Sequence, residues 1–228
     1  MARMRSGNLR TRLAAALPVV VLLLTGCGGS DKPPPQEQSA NVVQPGAPGE
    51  QSRKLSAEEL DKIEAPKHTK ADVAFMQAMI HHHGQAILMT NWVPRRTTSK
   101  DVRLMARRMR LTQEAEIEQI QGWLKARGVE PRDANDHGGH DHGSGANLPP
   151  GMLTSRQLGR LFNTDGRRFD RLFLRYMTFH HEGALTMVSE LRDAGGGAET
   201  EIGVFTSHVE ADQGIEIARM RELSGSLG

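Results

Sequence analysis

The residues of this sequence best suited to chemistry are two histidine pairs framed by methionines. The first stretch is Met79-Ile80-His81-His82-His83-Gly84-Gln85-Ala86-Ile87-Leu88-Met89, and the second is Met177-Thr178-Phe179-His180-His181-Glu182-Gly183-Ala184-Leu185-Thr186-Met187. An offset of 98 residues lays Met79 on Met177, His82 on His180, His83 on His181, Ala86 on Ala184 and Met89 on Met187. On a helix each residue advances about 100°. With Ala86 at the centre of a face, His82 and His83 flank it, Met79 lies two turns back and Met89 lies in line with His82. Imidazoles and thioethers around a small alanine suit a soft or borderline cation. Cu(I) is the best match, and Zn(II) or Cu(II) is within reach of histidine alone. A methionine stripe at helical spacing also serves as core filler, but filler has no reason to write His-His twice.

Four long helices must position these side chains. Thr69 with Asp72 caps the first, which is expected to end at Pro94. The second runs over about 99–127 with Gly128 as its stop. The third spans about 165–193, closed by Gly195-Gly196-Gly197, and the fourth about 199–223. A short helix leads each half, because Leu55, Ser56 and Leu60 match Leu153, Thr154 and Leu158 at the same offset. No strand pattern is evident, and with aromatic residues at only 4% the core must be aliphatic and methionine-rich. The fold class is therefore all-α, a four-helix bundle made of two repeated helical hairpins. The second and fourth helices match at an offset of 100, laying Gln113, Glu116 and Ile117 on Gln213, Glu216 and Ile217. Glu116 and Glu216 interrupt apolar stripes, and a carboxylate on a core face needs a partner. Each either binds metal, accepts a hydrogen bond from the far nitrogen of a ligand histidine, or pairs with a cation at the edge.

Residues 1–27 read as a lipoprotein signal peptide. Arg3, Arg5, Arg10 and Arg12 precede a short apolar run, and Leu24-Thr25-Gly26-Cys27 has the form of a lipoprotein cleavage box, with Cys27 as the acylated residue. Cys27 is the single cysteine, so the mature domain has no disulfide and no thiolate metal site. Without those four arginines the formal charge of +2 becomes −2, and nothing supports nucleic-acid binding. Residues 28–53 read as a polar, proline-rich linker. The bundle is expected over 54–224: repeat one at 54–127, a histidine-rich loop at 128–151 and repeat two at 152–224. In the loop, His137, His140 and His142 stand among glycines and aspartates, a tract able to chelate Cu(II), Zn(II) or Ni(II) weakly or simply to be solvated. His68, His81 and His208 are not repeated and read as surface or capping residues.

Met-Ile-x-His-His-x-x-Ala-x-x-Met, preceded by Asp72 and Phe75 and followed by Gln113-x-x-Glu116-Ile117, resembles the domain of unknown function 305 family. The resemblance covers both halves, about 54–224. It implies a ferritin-like four-helix bundle in a bacterial, often exported protein, and an association with copper binding and copper tolerance. Carried over residue by residue, it implies a metal site drawn from Met79, His82, His83, Met89, Met177, His180, His181 and Met187, with Glu116 and Glu216. This chain departs from the family pattern at His81, where proline is common, and at Gln85, whereas repeat two keeps the more usual Gly183.

The leading expectation is a lipid-anchored metal-binding protein on the extracytoplasmic face of the cell membrane. It would handle copper, with zinc or iron as alternatives, and would not be an enzyme. A ferritin-like di-metal iron oxidase is the rival, but such sites use four carboxylates and two Glu-x-x-His pairs. A third reading is an envelope scaffold with structural histidines.

Overall fold

The computed structural model describes residues 42–132 and 148–227, in two units that divide after Asp61. The expectations placed on Cys27 and on His137, His140 and His142 fall outside the described residues. In the first unit, Val43–Gln44 (β1) pairs antiparallel with Arg53–Lys54 (β2), a small ladder that spans the end of the expected linker, 28–53, and the first residue of the expected repeat one. The turn between them is closed by the Glu50 N–H donating to the Ala47 carbonyl at 2.8 Å. A short helix, α1 (Ala57–Asp61), follows; Ser56 and Glu59 cap it reciprocally.

The second unit carries α2 (Lys70–Arg96), α3 (Lys100–Ala126), α4 (Ser155–Phe162), α5 (Gly166–Asp193) and α6 (Thr200–Ser226). Four of these starts are set by local chemistry. Thr69 and Asp72 form a capping box on α2, Thr154 and Gln157 form one on α4, and Ser99 and Glu199 accept from Val102 and Ile202. The sequence predicts that α2 ends at Pro94, but the helix continues to Arg96. The proline's missing N–H removes one bond in the last turn, while the Thr97 N–H still reaches the Val93 carbonyl at 3.0 Å. α3 is stopped by Gly128, two residues past its end, whose φ of +69° lets Val129 and Gly128 donate back to the Leu124 and Lys125 carbonyls. α6 runs three residues past the expected Leu223.

α2 pairs with α3 and α5 with α6, and the two hairpins join chiefly through α2 against α5. This is the expected bundle of two repeated hairpins. Asp72 ties its first and last thirds together. One carboxylate oxygen accepts from the Thr69 N–H and hydroxyl at 2.6 and 2.9 Å, and the other accepts from the Gly197 N–H at 2.7 Å in the α5–α6 turn. Asp72 is fully buried, so Asp72→Ala strands three donors and is expected to cost about 2–4 kcal/mol in urea unfolding. A loss below about 1 kcal/mol would show that this lock contributes little.

The core is split along the bundle. One apolar cluster holds Ala86, Met89, Met105, Met109, Phe169, Phe173, Met177 and Met220, and the other holds Phe75, Met76, Met79, Ile120, Trp123, Met187, Phe205 and Val209. All four long helices feed both clusters. In each helix the buried side chains between the two clusters are polar.

Candidate metal centre

The polar layer consists of His82 and His83 from α2, Gln113 and Glu116 from α3, His180 and His181 from α5, and Gln213 and Glu216 from α6. The four histidines are at most 1% exposed, Gln113 and Gln213 are buried, and Glu116 is 8% exposed. Adjacent residues on a helix point about 100° apart, so the two members of a histidine pair meet different neighbours. His82 and His180 meet across the α2–α5 crossing with ring centroids 3.8 Å apart and planes inclined by 35°. His181 and Glu216 lie within the second hairpin, Nε2 to Oε2 at 2.6 Å. His83 and Glu116 lie within the first at 2.8 Å, close enough for an ion pair though not aligned as a hydrogen bond.

The rings offer lone pairs to the interior. A carbonyl or carboxylate only accepts, so Nε2 carries the proton where His82 donates to the Pro150 carbonyl (3.2 Å) and where His181 donates to Glu216. The free lone pair is then on Nδ1. The Nδ1 atoms of His82, His83, His180 and His181 are all buried without an aligned hydrogen-bond partner, as are Nε2 of His180 and both amide atoms of Gln113. Burial first, and then the neighbouring imidazoles, hold His82 and His180 well below the usual histidine range. Both are therefore neutral at neutral pH, the state in which imidazole ligates metal. A buried polar atom without a partner costs about 1–3 kcal/mol, so a layer this rich in them is stable when filled by water or an ion. Donor chemistry and orphaned nitrogens together fit a borderline or soft cation. Among the described residues, no three His, Cys, Asp or Glu side chains converge as a ready-made ligand set.

The structure sorts the expected ligands accordingly. His82 and His180 come together, while His83 with Glu116 and His181 with Glu216 form two separate flanking pairs. Met79 and Met187 lie in one apolar cluster, Met89 and Met177 in the other, all buried. His68 lies edge-on to Trp123 at 5.6 Å, His208 is exposed and His81 is partly buried.

One strap also reaches the layer. Residues 149–153 cross α2 and α5, bringing the Pro150 carbonyl to His82. Gln85 grips the strap with its amide donating to the Leu153 carbonyl at 3.0 Å and accepting from the Leu153 N–H at 2.7 Å. Gln77 makes the same two-sided grip on Glu130 and Arg132, both bonds 2.7 Å, so α2 holds both ends of the segment joining the hairpins. Opposite Gln85, Gly183 leaves room for Gly151: a Cβ on Gly183 would meet the Gly151 Cα at 2.3 Å. Sequence reasoning missed this strap, although Gln85 and Gly183 break the repeat where it passes.

A family model described as "Domain of unknown function (DUF305)" matches residues 30–224. Among solved structures, the chain is similar to a DUF305 protein from Streptomyces coelicolor, described as secreted. Identity is 25% and the TM-score 0.59, covering 69% of this chain and 92% of that one. It is equally similar to a DUF305 fragment from Deinococcus radiodurans, at 25% identity and TM-score 0.59, covering 71% and 99%. CopM in its Cu(II)-bound form shares the fold at 24% identity and TM-score 0.57, covering 69% and 97%. No curated protein matches.

Proposed function

The chain belongs to the DUF305 family, and from that premise we propose that it is an exported, lipid-anchored protein that binds copper for sequestration, tolerance or transfer. The observation that carries the reading is the buried histidine layer with its orphaned Nδ1 atoms, centred on the facing, neutral rings of His82 and His180. Thioethers of Met79, Met89, Met177 and Met187 lie in the adjoining clusters and complete a soft donor inventory. Glu116 and Glu216 act by orienting His83 and His181. CopM, which shares the fold, has been crystallised in Cu(II)-bound, Cu(I)-bound and silver-bound forms, which supports a transition-metal site in a bundle of this kind. The secreted relative from Streptomyces coelicolor and the cleavage box ending at Cys27 support a place outside the cytoplasmic membrane. We favour binding over turnover of the metal because, among the described residues, two carboxylates, Glu116 and Glu216, adjoin the imidazoles, where a di-metal oxidase uses four.

The test is a Cu(I) titration against a competing chelator under reducing conditions. His82→Ala combined with His180→Ala is expected to weaken tight binding by about 100-fold or more, while replacing His137, His140 and His142 leaves the tight site intact. Full affinity in the His82/His180 variant would overturn the proposal. Oxygen consumption with ferrous iron would revive the oxidase reading.

A further inference from the structure

On the outer side of the second half, α4 and α5 bound a cavity of about 390 Å³ lined by Arg156, Gln157, Arg160, Arg175, Tyr176 and Phe179. Two helical i, i+4 pairs face one another across it: Arg156 and Arg160 from α4, Arg175 and Phe179 from α5. Among the described residues, none of these three guanidinium groups has an ion-pair partner, whereas Arg96, Arg110, Arg127, Arg192 and Arg221 each hold a carboxylate. The nearby acids are committed elsewhere. Asp165 pairs with Arg96, Glu182 pairs with Arg221, and Asp170 is 1% exposed.

Helix stability does not explain this arrangement. Like charges at i, i+4 destabilise a helix, and at the 98-residue offset the repeat has Glu58 where Arg156 stands, Gln77 where Arg175 stands and a cation, Lys62, where Arg160 stands. Phe179, 48% exposed, adds an apolar face beside the charges, and the Arg175 guanidinium lies 5.2 Å from the Tyr176 ring centroid. Three guanidinium forks exceed what one carboxylate can engage, whereas a phosphate presents several acceptor oxygens to them.

We propose that Arg156, Arg160 and Arg175 form a binding site for a phosphate-bearing anion whose apolar portion rests on Phe179. The site is separate from the histidine layer and does not depend on metal. The phosphate has two possible sources, a soluble phosphate ester or the headgroup of an anionic lipid.

The experiment is calorimetric titration of the full chain, in micelles of uncharged detergent, with phenyl phosphate and with inorganic phosphate. Saturable binding at one site is expected, tighter for phenyl phosphate, and weakened about tenfold or more by Arg160→Ala with Arg175→Ala. Phe179→Ser is expected to remove the preference for the phenyl ester, and Arg219→Ala, an exposed arginine on α6, to change nothing. All these side chains are exposed, so the variants retain the fold. Doping the micelles with phosphatidylglycerol separates the sources: competition assigns the site to a lipid headgroup, and its absence to a soluble ester. A wild-type chain that shows no saturation, or a double variant that binds as well as wild type, overturns the proposal.

Discussion

Gly183→Ala is expected to destabilise the protein by about 2–4 kcal/mol, while the same change at Gly214 stabilises it by about 0.5–1 kcal/mol. Both glycines lie inside long helices, where alanine is the better helix former. A Cβ on Gly214 meets nothing within 4 Å, so only the backbone gain remains. A Cβ on Gly183 would lie 2.3 Å from the Gly151 Cα and 2.4 Å from the Gly151 nitrogen and the Pro150 carbonyl carbon. These are backbone atoms, which cannot swing aside as a long side chain can. Gly151 has little freedom to retreat, because the Leu153 backbone is gripped by Gln85 and the Pro150 carbonyl is bonded to His82. The strap must therefore lift. Lifting it breaks the bond that fixes the His82 tautomer and exposes Met152 and Leu153, now 5% and 2% exposed. Urea unfolding of the two variants side by side is the measurement. A stabilising Gly183→Ala would mean that the strap yields freely and does not position His82.

The strap also marks the limit of what the sequence discloses. Elements set by local rules are legible: the Thr69–Asp72 capping box and the stop at Gly128 involve residues within five positions. The placing of His82 and His180 on facing helices follows from the repeat and the helical period. That His83 turns to Glu116 and His181 to Glu216 was readable only in part. Periodicity puts the glutamates on inward stripes, but the partner depends on how the hairpins pack. The contacts to Pro150 and Leu153 span 68 residues and use backbone groups, which leave no mark in side-chain pattern. Their only trace is the mismatch of Gln85 with Gly183. Two identical repeats could not serve a single strap, because one side must reach it and the other must make room.

Acid is expected to unfold the metal-free protein in a window that ordinary carboxylates do not explain. His82 and His180 have pKa values well below 6.5 in the folded state, first because they are buried and then because their neighbours are other imidazoles. The groups around them are His83 with Glu116, His181 with Glu216 and the Pro150 carbonyl. Unfolding restores the ordinary value, so below about pH 6.5 the unfolded chain binds protons that the folded chain refuses. A depressed folded pKa contributes stability that is present above the unfolded value and lost as pH falls toward the folded one. Where the unfolded ring is protonated and the folded ring is not, each imidazole supplies a slope of at most about 1.4 kcal/mol per pH unit. The loss deepens as pH falls from 6.5 toward the folded values, and it draws on the roughly 5–15 kcal/mol that holds a domain together. Aspartate and glutamate ordinarily titrate near pH 4, so the interval between 6.5 and 5 isolates the imidazoles. Urea unfolding free energies measured across that interval should fall for the native chain, and His82→Gln with His180→Gln should flatten the slope, by at most about two protons. Equal slopes would mean that the two rings accept protons inside the bundle. The polar layer would then be open to water, and its imidazoles would meet a cation already charged rather than as neutral donors.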